Sequence, residues 1–128
     1  MDYHDLLAMF QQLRADLPPS GVALTRFTAG HNDLELIFLD TDRFWEEREG
    51  GGFSLLVLDG IASLQVDDWR SSLSGGHLIP VAEGARVRVT ADAGMPVAML
   101  ALRPKDAGRL IVIGLGETGR NAAATDAD

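Results

Sequence analysis

The sequence predicts an all-β barrel or sandwich with one short N-terminal helix. Three observations carry that prediction. Apolar runs of five to seven residues recur from Gly21 onward, Gly- and Asp-rich turns separate them, and helical periodicity is confined to the first seventeen residues. Alternating β and α units would show longer helical patterns between the strands instead.

The N-terminal segment comes first. Tyr3, Leu6, Phe10, Leu13 and Leu17 fall at three- and four-residue steps, which places them on one stripe of a helix over residues 2–17. Asp2 is positioned to cap its start. Pro18-Pro19 ends it, because proline has no amide donor and restricts the residue before it. A helix with such a stripe covers one open side or end of a barrel.

The strands follow. Val22–Thr28 and Leu34–Leu39 flank a Gly30-His31-Asn32-Asp33 turn. The charged stretch Arg43 to Glu49 lies between Asp40-Thr41-Asp42 and Gly50-Gly51-Gly52 and reads as a loop. Phe53–Leu58 and Ile61–Val66 are separated by Asp59-Gly60, the strongest hairpin signal in the chain. Trp69–Leu73, His77–Val81, Ala85–Thr90, Val97–Leu102 and Leu110–Leu115 complete a barrel over residues 21–116, in one domain of residues 1–120. Asn121–Asp128 are small and polar and read as a tail without structure.

Composition bounds the function. A chain of 128 residues allows one domain, and 46% hydrophobic residues suffice for one core. With aromatics at only 6%, that core is mainly aliphatic. The net charge is −8, with eleven basic residues scattered among nineteen acidic ones, which argues against nucleic acid and against an anionic membrane surface. The lack of cysteine removes disulfides, thiolate metal sites and cysteine nucleophiles. Asp2 and Asp5 stand where a signal peptide would be basic, and no run approaches the ~18 apolar residues of a membrane span. The expected location is the cytoplasm.

The block from Phe53 to Arg103 carries a recognisable framework. Phe53-Ser54-Leu55-Leu56-Val57-Leu58-Asp59-Gly60 is followed by an alternating strand, then by Gly76-His77-Leu78-Ile79-Pro80-Val81-Ala82-Glu83-Gly84-Ala85-Arg86-Val87. This framework resembles the two motifs of the cupins. The first family motif is a Gly, a His-x-His pair, a Glu three or four residues later, and a Gly after six more. The second is Gly, five residues, Pro-x-Gly, two residues and His. The resemblance implies a cupin-like jelly-roll β-barrel. It also implies a homodimer whose second copy covers exposed edge strands, with Leu110 to Leu115 as one candidate contact.

Aligned on Gly60, Phe53 stands where the family has its metal-binding Glu. Glu47 and Glu49 fall at the two His positions with the three-residue spacing, Glu46 and Arg48 with the four-residue one. Aligned on Gly76 and Gly84, Ala82 stands at the Pro and Val87 at the last His. All four ligand positions depart from the pattern. A cupin metal needs imidazole nitrogens and a carboxylate converging in the barrel, so neither a metal nor another cofactor is expected.

The same chemistry bears on the remaining motifs. Gly114-Leu115-Gly116-Glu117-Thr118-Gly119 matches the dinucleotide-binding Gly-x-Gly-x-x-Gly, but only nine residues follow it, too few for the helix and strand such a site needs. It reads as a glycine-rich turn. His31, Asp33 and Glu35 would share one face of a continuous strand, which the turn residues around them oppose. His77, at a strand start, reads as a surface or hydrogen-bonded side chain. Ser71, Ser72 and Ser74 have no base or nucleophile elbow beside them. Glu46, Glu47 and Glu49 read as a solvated loop, which the resemblance places at the barrel mouth.

Two functional classes follow. The favoured one is a metal-free binding module for a small, largely apolar organic ligand, or a sensory or accessory subunit. Its lumen is lined by Trp45, Phe53, Leu55, Val57, Val87, Val89 and Met99, with Glu47 and Glu49 at the rim. The alternative is a small-molecule enzyme of isomerase, epimerase or dioxygenase type. There Glu47 or Glu49 serves as acid or base, or joins His31 or His77 in a non-standard metal site. A solid barrel that acts only through its surface is the third reading.

Overall fold

Side-chain alternation along each strand builds an apolar face turned inward, and two such faces make the core. In the computed structural model, residues 5–48, 50–104, 109–115 and 123–127 are described. A helix, α1 (Leu6–Ala15), precedes the strands β1 (Val22–Ala29), β2 (Asn32–Leu39), β3 (Arg43–Arg48), β4 (Phe53–Asp59), β5 (Ile61–Val66) and β6 (Trp69–Ser74). The chain continues through β7 (Leu78–Val81), β8 (Val87–Thr90), β9 (Val97–Pro104), β10 (Arg109–Leu115) and β11 (Ala123–Ala127). One antiparallel sheet has the order β1-β2-β9-β4-β7, the other β11-β10-β3-β8-β5-β6. The all-β expectation with one short helix is met.

Ile37 and Leu39 of β2, Phe53, Leu55 and Val57 of β4, and Val97, Met99 and Ala101 of β9 face inward from the first sheet. They meet Trp45 of β3, Leu64 of β5, Leu73 of β6, Val87 and Val89 of β8, and Ile111 of β10. Aliphatic side chains dominate, as the low aromatic content requires. Each fully buried one contributes about 1.5–3 kcal/mol relative to exposure.

Four sequence expectations need correction. The cap of α1 is Asp5, whose side chain accepts from the Ala8 N–H at 3.1 Å; Asp2 lies outside the described residues. The helix lies over β1 and β2, with none of its residues fully buried. Asp59-Gly60 is not a hairpin turn. Strand β4 pairs with β7 and β9 while β5 pairs with β6 and β8, so the chain changes sheets there. Gly60 makes that corner at a φ of +93°, and the β4–β9 register shifts between Val57 and Asp59 just before it. The dipeptide signals a tight reversal, but long-range packing decides which sheet the next strand joins.

The third correction concerns Arg43 to Glu49, read as a loop. Arg43–Arg48 is strand β3 between β10 and β8, and its charges are tolerated because each buried one meets an opposite charge. The fourth concerns the run Leu110 to Leu115. It lies in β10, hydrogen-bonded on both sides by β3 and β11, and therefore is no sheet edge. Within the expected polar tail, the backbone of Ala123–Ala127 runs antiparallel to β10. Of the glycine-rich motif, Gly114 and Leu115 end β10 and the rest lies outside the described residues. No described helix is long and apolar enough to cross a membrane.

Candidate functional site

Among the described inward-facing positions, three buried charged side chains interrupt the apolar pattern: Glu35 on β2, Arg103 on β9 and Glu47 on β3. Asp33 lies opposite Arg103 in the β2–β9 register, which sets Arg103 diagonal to Glu35 on the same face. Arg103 Nη1 donates to Glu47 Oε2 at 2.8 Å, and Nη2 lies 3.6 Å from Glu35 Oε1. Arg26, on the edge strand β1, donates from Nε to Glu35 Oε2 at 3.3 Å. The signs alternate from Arg26 through Glu35 and Arg103 to Glu47. The first three belong to the five-stranded sheet and the last to the six-stranded one, so this ion chain ties the two sheets together. Burial of such charges is costly unless they are paired, which explains why they cluster.

Aromatic rings frame the cluster. The Arg103 guanidinium stacks 4.5 Å from the centroid of the Phe53 ring. The Trp45 ring meets Phe53 edge-on, with centroids 6.3 Å apart. Trp45 Nε1, Arg103 Nε and Arg103 Nη2 are buried without a hydrogen-bond partner. All three are donors, and both side chains adjoin Phe53.

Of the residues assigned to the lumen from sequence, Trp45, Phe53, Leu55, Val57, Val87, Val89 and Met99 all join one buried cluster. Glu47 is not at the rim. It is only 1% exposed and faces Arg103, a partner 56 residues away that local sequence could not nominate. Glu49 lies outside the described residues. Glu46 points to the opposite side of β3, where Arg48 and Arg88 hold its carboxylate. His31 sits exposed in the β1–β2 turn. His77 Nδ1 accepts from the Ser74 N–H at 3.0 Å and closes a turn, as a hydrogen-bonded surface residue does. Trp69 is 53% exposed and stands apart from the interior.

Sequence reasoning missed Arg103, and it weighed Glu35 only as a metal ligand beside His31 and Asp33, not as an interior counter-ion. Their signal was a charge at an inward position, in Leu34-Glu35-Leu36-Ile37 and in Ala101-Leu102-Arg103.

The donor set does not fit the metal that the resemblance would bring. Phe53 and Val87 supply no ligand atom, and Glu47 is bound to a guanidinium. Among the described residues no group of three His, Asp or Glu side chains could hold a metal ion.

No family model matches the sequence, and no curated protein matches it. Solved structures match in fold. A cupin-2 domain protein from Rhodospirillum rubrum superposes with a TM-score of 0.60 at 13% identity, over 67% of this chain and 61% of that one. The match thus spans less than two thirds of that protein's length. A cupin 2 domain-containing protein from Halorhodospira halophila gives 0.61 at 17% identity, over 70% of this chain and 68% of that one. The cupin-2 domain of an XRE family transcriptional regulator from Enterobacter cloacae gives 0.57 at 16% identity, over 64% of this chain and 94% of that one. Likeness at these identities speaks for the fold alone. By its two antiparallel sheets, its inward-facing core and these neighbours, the chain has the cupin fold, a jelly-roll β-barrel preceded by one short helix.

Proposed function

We propose that the chain is a metal-independent binding module whose barrel interior takes a small, largely apolar organic molecule bearing a hydrogen-bond acceptor. The supporting observation is two buried donors without a hydrogen-bond partner, Trp45 Nε1 and Arg103 Nε, on side chains that flank Phe53, while Arg103 Nη2 has only the 3.6 Å ion pair with Glu35. Leaving a buried donor unpaired costs about 1–3 kcal/mol, which an acceptor on a ligand would recover. The four groups Arg26, Glu35, Arg103 and Glu47 sum to zero charge, so a neutral amide, ketone or lactone suits the site better than an anion. Leu55, Val57, Val87, Val89 and Met99 pack in the same buried cluster and would supply the apolar contact once a ligand enters. A sensory or accessory role is supported by the Enterobacter cloacae neighbour, a domain of a transcriptional regulator. On sequence grounds we place the module in the cytoplasm. The acid–base reading is weaker, because the Glu47 carboxylate serves as counter-ion to Arg103.

The proposed protein partner is a second copy of this chain, seated on the outer face of the five-stranded sheet. Register lines up Leu36, Leu100, Leu56 and Leu78 as one row across β2, β9, β4 and β7; Leu36 and Leu100 are buried within the chain itself, which leaves half-buried Leu56 and exposed Leu78 as the accessible part. The outward positions of β2 and β9, Asn32 to Phe38 and Ala98 to Pro104, carry no charge. Helix α1 covers the β1–β2 side, while Leu58 and Leu78 lie 37% and 57% exposed. In a chain of net charge −8, an uncharged face is where two copies meet with least repulsion.

Interior binding is tested by fluorescence. In a Trp69→Phe protein, the buried Trp45 is the sole indole and adjoins the proposed site. Caprolactam, a neutral cyclic amide, should shift its emission saturably and raise the melting temperature; cyclohexanecarboxylate should bind less well. No saturable response to either probe would sink the reading.

A further inference from the structure

The outer face of the six-stranded sheet carries a groove that the interior site does not use, and strand register fixes its lining. Glu46 on β3 lies opposite Arg88 on β8, Arg88 opposite Gln65 on β5, and Gln65 opposite Arg70 on β6. The next row along the strands is Phe44, Thr90, Ser63 and Ser72. Beyond it stand Asp42 and Asp92, the latter accepting from the Ser63 hydroxyl at 2.8 Å. The space above these rows is about 520 Å³. It adjoins a pocket of about 130 Å³ lined by Arg48, Arg86 and Arg88 together with Glu46, which pairs with Arg48 and Arg88.

The groove is therefore dipolar. Arginines gather at one end, two aspartates stand at the other, and hydroxyls line the middle. Arg88 is fixed in place: its Nε donates to Glu46 Oε1 at 2.9 Å, and its guanidinium stacks 4.0 Å from the Phe44 centroid. Arg70 is exposed and joins no ion pair among the described residues. In a chain with a net charge of −8, this cationic end is a local exception.

We propose that this groove binds a short zwitterionic peptide, its terminal carboxylate on Arg70 and Arg88 and its terminal ammonium on Asp42 and Asp92. Length supports the match. Arg88 and Asp92 stand four residue steps apart, about 13 Å of extended chain running past the end of β8, and an arginine side chain spans roughly half of that. The gap suits two or three extended residues at ~3.3–3.6 Å each. Thr90 and Ser72 then meet the peptide's own amide groups. Charge supplies the selectivity. A lone anion meets the two aspartates and a lone cation meets the arginines, whereas a ligand with both charges satisfies each end.

The test uses the full chain, labelled with ¹⁵N and titrated with trialanine, N-acetyl-trialanine and trialanine amide. Trialanine should shift the amide signals of residues 63–65, 70–72 and 88–92 saturably, and each capped peptide should bind at least tenfold more weakly. Arg70→Gln should erase the preference for a free carboxylate, and Asp92→Asn the preference for a free ammonium. Unchanged signals away from the groove establish that both variants are folded. Absence of saturable shifts, shifts confined to other residues, or equal binding of the capped peptides by the unaltered chain would each overturn the proposal.

Discussion

Arg103 donates from Nη1 to Oε2 of Glu47 at 2.8 Å, and this buried bond joins the two sheets across the barrel interior. Arg103 also faces Glu35 at 3.6 Å. Removing the guanidinium in Arg103→Ala leaves two buried carboxylates without their shared cation. The expected loss of stability is about 3–5 kcal/mol, the usual cost of breaking a buried pair from one side. Glu47→Gln should cost less, because its amide oxygen still accepts from Arg103. Urea denaturation of both variants measures this. A loss below about 1 kcal/mol for Arg103→Ala would mean that the pair is not the tie between the sheets.

Metal content follows from the same residues. Protein purified without a histidine tag and incubated with iron, manganese, zinc and nickel should hold no stoichiometric metal by elemental analysis. Phe53 and Val87 lack donor atoms, and Arg103 already occupies the Glu47 carboxylate. One metal per chain would instead point to a ligand set assembled elsewhere, and His31 and His77 would be the first to substitute.

How much of this was legible in the sequence depends on the range of the interaction. Period-two alternation in Phe53-Ser54-Leu55-Leu56-Val57 and Val87-Arg88-Val89 marks inward positions directly, and those residues line the interior. Pairings across long separations leave no local trace. Glu46 and Glu47 read as a solvated loop because their partners, Arg88 and Arg103, lie 42 and 56 residues away. Asp59-Gly60 gives a turn whether the next strand returns to the same sheet or crosses to the other. The ion chain and the sheet change are therefore properties of the assembled barrel, visible only once β3 is set between β8 and β10.

Gly60 is the position where a single methyl group should do most harm. Its φ is +93°, and an added Cβ would fall 2.3 Å from the Pro96 carbonyl oxygen. Both the backbone conformation and the space oppose any side chain. Gly60→Ala should cost about 2–4 kcal/mol in a thermal or urea melt, from strain and displaced backbone together. Gly76→Ala is the matched control: its φ is also +93°, but no atom lies within 4 Å of the added Cβ, so it should cost about 1–2 kcal/mol. Equal losses would show that the contact with Pro96 is not what fixes the corner.

The apolar outer face makes a separate demand on the oligomeric state. Leu78 ends the leucine row on the edge strand β7 and is 57% exposed, so Leu78→Lys should leave the folded monomer nearly as stable as before. In a two-fold dimer the same residue is lost from both halves of the contact. Burial of each leucine is worth about 1.5–3 kcal/mol, so two of them amount to about two to four decades in the dimer dissociation constant. Sedimentation velocity over a concentration series should find the unaltered chain dimeric and the variant monomeric. Ile61→Lys is the control, since Ile61 is 42% exposed on the other sheet and should leave the dimer intact. A monomeric unaltered chain would leave the leucine row without the proposed occupant. Dissociation by Ile61→Lys rather than Leu78→Lys would move the contact to the six-stranded sheet.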